Sequence, residues 1–233
     1  MNLLKHVLFI NLERRKDRLT HIKNEFKKLE LNPDYYERFP AIKTTSGAIG
    51  CTLSHIRCIE IAKERNYPHV FICEDDITFT NTQLFKENLG KFADSNIHWD
   101  VIIVGGNNCP PFVYHTLCDG NTADFCVKAL NCQTTTGYIV SQHYYDILLQ
   151  NFKEGLEKLM RNPDNKREYA IDMYWKQLQY RDNWYLITPL TVTQYADYSD
   201  IENQYMDYKD ALLDIDKAEF FKKRHELLQM HFR

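Results

Sequence analysis

The sequence predicts an α/β fold whose first third follows the Rossmann-like order β-α-β-α-β. Short, almost continuous apolar runs at residues 3–11 and 69–73 are typical of strands that are buried on both faces. Between such runs lie segments of helical periodicity, in which residues such as Leu19, Ile22 and Phe26 fall on one face. Strands that alternate with amphipathic helices indicate an α/β sheet covered by helices.

The rest of the chain is predicted to be richer in strand. Strands are expected at 35–42, 99–104, 111–118, 123–130, 134–140 and 184–192, and helices at 52–64, from Ser141 to about 160, near 171 and over 208–233. The sequence contains no repeat and no low-complexity linker. A single domain over residues 1–233 is therefore predicted.

Composition places the chain among ordinary globular proteins. Of its 233 residues 44% are hydrophobic and 26% are charged, and the net charge is −3. This charge balance provides no basic surface for nucleic acid. No run approaches the ~20 apolar residues of a transmembrane helix, and the first residues lack the features of a signal peptide. The seven cysteines are odd in number and form no CxxC pair, which predicts free thiols and a cytoplasmic protein.

Three consecutive carboxylates, Glu74, Asp75 and Asp76, follow the apolar run at 69–73. Adjacent carboxylates repel one another, and a divalent cation bound through oxygen ligands removes that repulsion. Ligand crevices of α/β proteins open at the carboxyl ends of strands, where this triplet lies. A metal site is therefore one interpretation, and a solvated acidic turn is the other.

Two further segments suit an anionic ligand. Arg15 and Arg18 belong to a basic stretch directly after the first strand, where a nucleotide diphosphate binds in Rossmann-like proteins. Ser54 and His55 follow two glycines at the start of a predicted helix, where backbone N–H groups favour anions. Each segment also has a purely structural interpretation: a solvated first turn in one case, a capped helix with a core-edge histidine in the other.

Two polar features lie in the second half. Residues 134–138, Thr-Thr-Thr-Gly-Tyr, would allow close approach of a sugar, although a plain β-strand explains them equally well. Asp172 begins a short predicted helix and is a candidate general base. A carboxylate in that position is also a common helix cap.

Taken in order, these segments resemble glycosyltransferase family 25, the lipooligosaccharide glycosyltransferases and collagen hydroxylysine galactosyltransferases. Residues 10–18 are similar to the family's opening "INLxRRxDR", residues 47–55 to "GxxGCxxSH" and residues 74–79 to "EDDxxF". Residues 136–141 resemble "GxxYxxS" loosely, and residues 170–172 resemble "PVD". The resemblance spans about residues 7–176, and several ordered motifs are more specific than any one of them.

The resemblance implies a GT-A-like fold with a mixed central sheet, a UDP-sugar donor, Mn²⁺ or Mg²⁺, and inverting transfer of a hexose to a hydroxyl of a glycan or protein acceptor. It implies a nucleotide-sugar-binding half at 1–104, an acceptor half at 105–200 and a helical tail at 201–233, and it leaves peripheral membrane contact open. The implied base is Asp172, and the implied metal ligands are Asp76 and Glu74. The implied donor-side residues are Asn11, Arg15, Arg18, Ser54, His55, Glu74 and Asp75, and the candidates for a third metal ligand are Gln194, Asp197, Ser199 and Asp200.

The chain departs from the family pattern in two places. Ile59 stands where the family usually has Trp, and the stretch between Tyr35 and Gly47 is shorter than usual, which weakens expectations about the acceptor pocket. The alternative hypothesis is a catalytically inactive GT-A-like protein that binds a nucleotide sugar or a partner. A metal-dependent nucleotidyl- or phosphoryl-transfer enzyme is a third, but no second acidic pair for two-metal chemistry stands out.

Overall fold

The computed structural model describes residues 2–118, 120–199, 201 and 204–222. Its strands are β1 Val7–Asn11, β2 Tyr36–Pro40, β3 His69–Glu74, β4 Ile77–Phe79, β5 Val101–Asn108, β6 Phe112–Thr116, β7 Thr122–Ala129, β8 Cys132–Ser141, β9 Trp184–Ile187, β10 Val192–Gln194, β11 Asp197–Ser199 and β12 Gln204–Met206. Its helices are α1 Lys16–Lys28, α2 Gly47–Glu64, α3 Thr82–Asp94, α4 Tyr145–Arg161, α5 Lys166–Tyr169, α6 Ile171–Tyr174, α7 Lys176–Arg181 and α8 Lys209–Leu212.

Eight strands form one mixed sheet in the order β2-β1-β3-β8-β5-β9-β7-β6. β1 pairs in parallel with β2 and β3, β8 lies antiparallel between β3 and β5, and β5 is parallel to β9. Two small ladders, β4 with β10 and β11 with β12, lie outside this sheet. The predicted α/β class, with a Rossmann-like first half and a mixed central sheet, is confirmed.

Helices cover both faces of the sheet and create two apolar layers. In β1, Leu8 belongs to the layer that also contains residues of α2 and α4, and Phe9 belongs to the layer of α1 and α3. Because successive side chains of a strand point to opposite faces, both kinds of position in β1 must be apolar. This arrangement explains the continuous apolar run at the start of the chain.

Several predicted boundaries were wrong. α2 begins at Gly47 rather than near residue 52, and β5 continues through Gly105 and Gly106, where a break was predicted. The predicted strand at 184–192 is two strands that belong to different ladders. A Cβ on Gly105 would lie 2.6 Å from Val192 Cγ1. The glycine therefore allows β5 to pass close to β10 instead of ending the strand.

The helix α3 was not predicted, although its sequence carries the signals of a helix. Asn81 caps it by accepting a hydrogen bond from the Leu84 amide at 3.0 Å, and Phe85, Leu89 and Phe92 are buried on one face. Ser141, predicted to cap the long helix, makes no capping bond, and α4 begins at Tyr145. Within the predicted helical tail the structure has the strand β12 as well as the short helix α8, and residues 202–203 and 223–233 lie outside the described residues.

No helix in the described ranges has the length and apolar character required to cross a membrane. All seven cysteines are free, as predicted. Four of them, Cys58, Cys73, Cys126 and Cys132, are buried. Burial raises the pKa of the Cys126 thiol to about 12, and burial likewise raises the pKa of Cys132 to about 12. These two thiols are therefore protonated and unreactive at neutral pH.

We expect Gly50→Ala to destabilise the protein by about 1–3 kcal/mol, the usual cost of overpacking. A Cβ at this position would lie 2.4 Å from the backbone oxygen of Ile42, which cannot move as a side chain can. Gly90→Ala is the matched control, because Gly90 lies in α3 with no atom within 4 Å of the added Cβ. That variant should be stabilised by about 1 kcal/mol. Urea unfolding measures both, and equal stabilities would contradict the close packing at Gly50.

Candidate active site

The carboxyl ends of β1 and β3 meet at one edge of the sheet. Asn11 is the last residue of β1, Glu74 is the last residue of β3, and Ile10 is paired with Glu74 in the register of these parallel strands. Asn11 Nδ2 donates a hydrogen bond to Asp75 Oδ2 at 2.7 Å. The structure therefore brings together two predicted donor-side residues that are far apart in the sequence.

Arg18, in the first turn of α1, joins the acidic residues to a distant part of the chain. Its Nη1 lies 2.9 Å from Asp76 Oδ2 and 3.2 Å from Asp75 Oδ1, and its Nε lies 3.3 Å from Asp197 Oδ2. Arg15 also donates to Asp197. Arg18 thus contacts three carboxylates, and Arg15 contacts Asp197 and Asp17. A diphosphate could reach these cations only by exchanging with their present partners.

Asp76 lies in the least favourable electrostatic environment of the site. Burial, together with the charges of Glu74 and Asp75, raises the pKa of Asp76 to about 8, while Arg18 opposes that rise. Burial also raises the pKa of Asp75, against the hydrogen bond from Asn11 and the charge of Arg18. Asp76 Oδ1 is buried and has no hydrogen-bond partner among the described residues. A buried carboxylate oxygen without a hydrogen-bond partner is suited to serve as a ligand of a cation.

Glu74 contacts a different set of neighbours from Asp76. Its Oε1 accepts a hydrogen bond from Thr135 Oγ1 at 2.6 Å and lies 3.5 Å from His55 Nε2 and 3.8 Å from Cys51 Sγ. Burial acts to raise the pKa of Glu74, but the contacts with His55 and Thr135 outweigh it and lower that pKa. One ligand atom from each of Cys51, His55 and Glu74 lies within 4.8 Å of the others. This trio could itself hold a metal ion.

Asp172 is held at the start of α6 by β8. Its Oδ2 accepts a hydrogen bond from the Thr134 amide at 3.0 Å, and Thr134 has a φ of 72° at a point where the pairing of β5 with β8 shifts register. Positive φ is rare and costly for a β-branched residue and is often retained at functional sites. Burial raises the pKa of Asp172, and the charge of Glu74 adds to that rise.

Ser54 and His55 are both buried in α2. Ser54 Oγ donates to the Gly50 carbonyl at 2.7 Å and accepts from the Ile42 amide at 2.8 Å, so the hydroxyl holds the preceding loop against the helix. His55 Nδ1 lies 2.9 Å from the Tyr138 hydroxyl, which turns Nε2 of the ring toward Glu74. Their direct contact with a donor stays a prediction.

Two of the described candidates for a third metal ligand, Gln194 and Asp197, are joined to the region of the acidic triplet. Gln194 ends β10, which pairs with β4 directly after Asp76. Asp197 belongs to the charge network around Arg18, whereas Ser199 Oγ accepts a bond from the Ile201 amide at 3.3 Å. Asp200 lies outside the described residues. Of the described three, Asp197 is the one joined to Asp76 through a shared cation.

The predicted site residues include neither Arg38 nor Thr135. Arg38, on β2, donates from Nε to Asn11 Oδ1 at 2.8 Å, and Thr135 Oγ1 donates to Glu74. The signal available for Arg38 is a polar residue on the strand that neighbours β1. For Thr135 it is the run of three threonines, whose partner the sequence does not show. Neither partner could be assigned until the order of the strands was known.

Comparisons with known proteins agree with the resemblance seen in the motifs. The profile of glycosyltransferase family 25 (LPS biosynthesis protein) matches residues 35–108. A glycosyltransferase 25 family member from Anopheles gambiae is 28% identical over 199 residues, which cover 73% of this chain and 31% of the relative. A putative glycosyltransferase from Haemophilus influenzae is 29% identical over 172 residues, which cover 65% of this chain and 59% of the relative.

Procollagen galactosyltransferase 2 from Homo sapiens is 30% identical over 81 residues, or 33% of this chain and 13% of that protein. Among solved structures, a glycosyltransferase involved in the glycosylation of the major capsid of PBCV-1 has a TM-score of 0.49 and 11% identity, over 90% of this chain and 88% of the other. The chain spans about a third to three fifths of the length of the first two relatives. The ordered motifs, the profile match over residues 35–108 and these relatives show that the chain is similar to members of glycosyltransferase family 25.

Proposed function

We propose that this chain is a glycosyltransferase that moves a hexose from a UDP-sugar to a hydroxyl of a glycan or protein acceptor, with inversion at the anomeric carbon. Similarity to glycosyltransferase family 25 supports the sugar transfer. The observation that carries the proposal is the cluster at the ends of β1 and β3, in which Asn11, Arg18, Asp75 and Asp76 are in direct contact. Such a cluster suits recognition of a nucleotide diphosphate at the carboxyl edge of an α/β sheet.

The donor set fits a hard divalent cation, Mn²⁺ or Mg²⁺. Asp76 would hold it through the buried oxygen that has no hydrogen-bond partner. Asp197, which shares Arg18 with Asp76, and Glu74 are the candidates for further ligands. When bound, the ion would offset the negative charge that develops on the departing diphosphate. Arg15 and Arg18 would then bind phosphate oxygens, because they are the cations that already lie beside these carboxylates.

We assign the nucleotide-sugar side to residues 1–104 and the acceptor side to residues 105–200 of one domain. Asn11 and Asp75 hold each other beside the basic residues and would orient the nucleotide, with Ser54 and His55 behind Glu74. We also keep the cytoplasm as the proposed compartment, a proposal that the seven free cysteines support.

Asp172 is the proposed general base. Its carboxylate would take the proton from the acceptor hydroxyl as that oxygen attacks the anomeric carbon in line with the departing diphosphate. The bond from the Thr134 amide fixes the carboxylate, and the raised pKa of Asp172, caused mainly by burial, makes it a stronger base than an exposed aspartate. The neighbouring charge of Glu74 contributes to the same effect.

A donor screen tests the proposed function. Purified protein is incubated with UDP-glucose, UDP-galactose and GDP-mannose in the presence of Mn²⁺, and release of the nucleotide diphosphate is measured with water as the default acceptor. We expect slow release from one UDP-sugar and a thermal shift with the same donor. No release and no thermal shift with any nucleotide sugar would refute the enzyme proposal. A thermal shift without release would instead favour a protein that only binds the nucleotide sugar.

We expect the affinity for Mn²⁺ to rise between pH 6 and pH 8. Metal binding requires the ionised carboxylate, and the pKa of Asp76 is raised to about 8, so a proton competes with the metal below that pH. One competing proton gives a slope approaching tenfold in affinity per pH unit. Calorimetric titration at pH 6, 7 and 8 measures the slope, and Asp76→Asn should flatten it. A pH-independent affinity in the unsubstituted protein would contradict the role of Asp76.

In the metal-free protein, the raised pKa of Asp76 lowers the free energy of unfolding as the pH rises. Because the pKa of folded Asp76 lies above its ordinary value of 3.8, the folded state holds this proton more tightly than the unfolded state does. The contribution of Asp76 to the free energy of unfolding therefore falls as the pH rises from about 4 to about 8, and added Mn²⁺ should restore it. Urea unfolding with and without Mn²⁺ measures this difference.

A further inference from the structure

A second group of metal-ligating side chains lies away from the candidate active site. His98 and Asp100 precede β5, and His143 follows β8. One ligand atom from each of these three residues lies within 4.8 Å of the others. His143 Nε2 is 2.7 Å from Asp100 Oδ1, and His98 Nε2 is 4.0 Å from the same oxygen. The two imidazole rings stack with their centroids 5.4 Å apart.

We propose that His98, Asp100 and His143 form a zinc site, with water completing a tetrahedral coordination sphere. Two imidazoles and one carboxylate are a common protein ligand set for Zn²⁺ that leaves a fourth position open. This ligand set also suits Zn²⁺ better than Mg²⁺ or Ca²⁺, which prefer oxygen ligands alone. Nothing in this site is shared with the acidic triplet, so the proposal does not rest on the proposed function.

Neighbouring groups already orient two of the three ligands. The backbone amide and Nδ2 of Asn183 donate to Asp100 Oδ2 at 2.8 and 3.1 Å, which leaves Oδ1 facing the histidines. Ser141 Oγ lies 2.8 Å from His143 Nδ1 and can accept its proton, so that Nε2 is the unprotonated, ligating nitrogen. Metal-bound histidines and carboxylates are typically held by such outer hydrogen bonds.

The geometry requires only a small adjustment. Bonds of about 2.0–2.1 Å in a tetrahedron place neighbouring ligand atoms roughly 3.3 Å apart. The pair His143–Asp100 is slightly closer than that and the pair His98–Asp100 is slightly wider. The His98 side chain is 75% exposed, and its ring is free to move inward by the required fraction of an ångström.

The zinc site would lie at the edge of the sheet opposite the acidic triplet. The backbone amide of Ser141 donates to the Asp100 carbonyl at 3.0 Å, and Ser141 is paired with His69, the first residue of β3. Glu74 is the last residue of the same strand. At a rise of about 3.3 Å per residue, the length of the strand places the two sites roughly 16 Å apart. Bound zinc would connect the segments that enter β5 and leave β8, and it would strengthen the sheet without touching the substrate site.

The test is calorimetric titration of the metal-free, reduced protein with Zn²⁺, together with thermal unfolding. We expect a zinc-binding step that raises Tm by several degrees in the unsubstituted protein and that His98→Ala weakens at least about tenfold. This step is separate from any binding at Asp76 or at Cys51, His55 and Glu74. His98 is chosen because it is the exposed ligand, so its removal should leave the fold intact. His143→Ala is the second variant. The matched control is His115→Ala, a histidine on β6 outside the cluster, which should bind zinc normally.

Two further variants separate this site from the other metal-compatible groups. Asp76→Asn and Glu74→Gln should leave unchanged the zinc-binding step that His98→Ala weakens, whatever they do to binding at their own sites. Co²⁺ is used as a spectroscopic substitute, and the part of its spectrum that is lost in His98→Ala should lack the thiolate-to-cobalt band that a ligating cysteine produces. The absence of any zinc-binding step that His98→Ala weakens, loss of that step in Asp76→Asn or Glu74→Gln, or a thiolate band in the part of the spectrum that depends on His98 would each overturn the proposal.

Discussion

Asp172→Asn should lower turnover by about 10²–10⁴-fold, the usual contribution of a general base, while the affinity for the donor stays unchanged. Asparagine has the same shape and can still accept the bond from the Thr134 amide, so the site should keep its geometry. It cannot take a proton from the acceptor hydroxyl. Initial-rate kinetics with the donor found in the screen, together with calorimetric titration of that donor, would measure the two quantities separately.

Asp164→Asn is the matched control, since Asp164 lies exposed in the loop between α4 and α5. It should leave both turnover and donor affinity unchanged. A second check is the pH dependence of turnover, because the ascending limb that reports ionisation of the base should disappear in Asp172→Asn. Turnover near that of the unsubstituted protein in Asp172→Asn would exclude this residue as the base and direct attention to Glu74, the carboxylate close enough to raise its pKa.

Asp76→Asn should weaken Mn²⁺-dependent donor binding by about 100-fold or more, since removal of an outer-shell partner alone costs about 10–100-fold. The buried oxygen without a hydrogen-bond partner is the feature that assigns this role to Asp76. Without metal, the variant and the unsubstituted protein should bind the donor equally weakly. Titration of the UDP-sugar with and without Mn²⁺ measures the difference.

The stability of Asp76→Asn distinguishes loss of the metal from loss of the fold. Asp76 is buried beside Glu74 and Asp75, and an amide in its place removes like-charge repulsion while still accepting a bond from Arg18. The free energy of unfolding of the metal-free variant at pH 8 should therefore equal or exceed that of the unsubstituted protein. Asp94→Asn, at the exposed end of α3, is the neutral control.

Unchanged Mn²⁺-dependent binding of the donor in Asp76→Asn would place the metal elsewhere, with the group of Cys51, His55 and Glu74 as the next candidate.

Sequence patterns predicted best those elements in which each face lies in a single environment, either buried or exposed, along its whole length. β1 and β3 are buried on both faces and are therefore continuously apolar, although β1 begins at Val7 and not at residue 3 as predicted. α4 carries a single apolar stripe. Prediction failed at 184–192, where one apolar run serves two ladders, and at β5, where the glycines were read as a break. In both cases the deciding contact is long-range, between β5 and β10.

At the candidate site, too, some features could be predicted from the sequence and others depended on the tertiary structure. The order of its motifs along the chain determined the family resemblance and selected Asn11, Arg18, Asp75 and Asp76, because residue type and local spacing are properties of the sequence. Only the tertiary structure decided that Glu74 accepts a hydrogen bond from Thr135 and that Asp197 shares Arg18 with Asp75 and Asp76. Those contacts depend on the order of the strands and on where β8 changes register, which no local pattern encodes. The sequence thus determined which groups are present at the site, and the sheet decided which of them are neighbours.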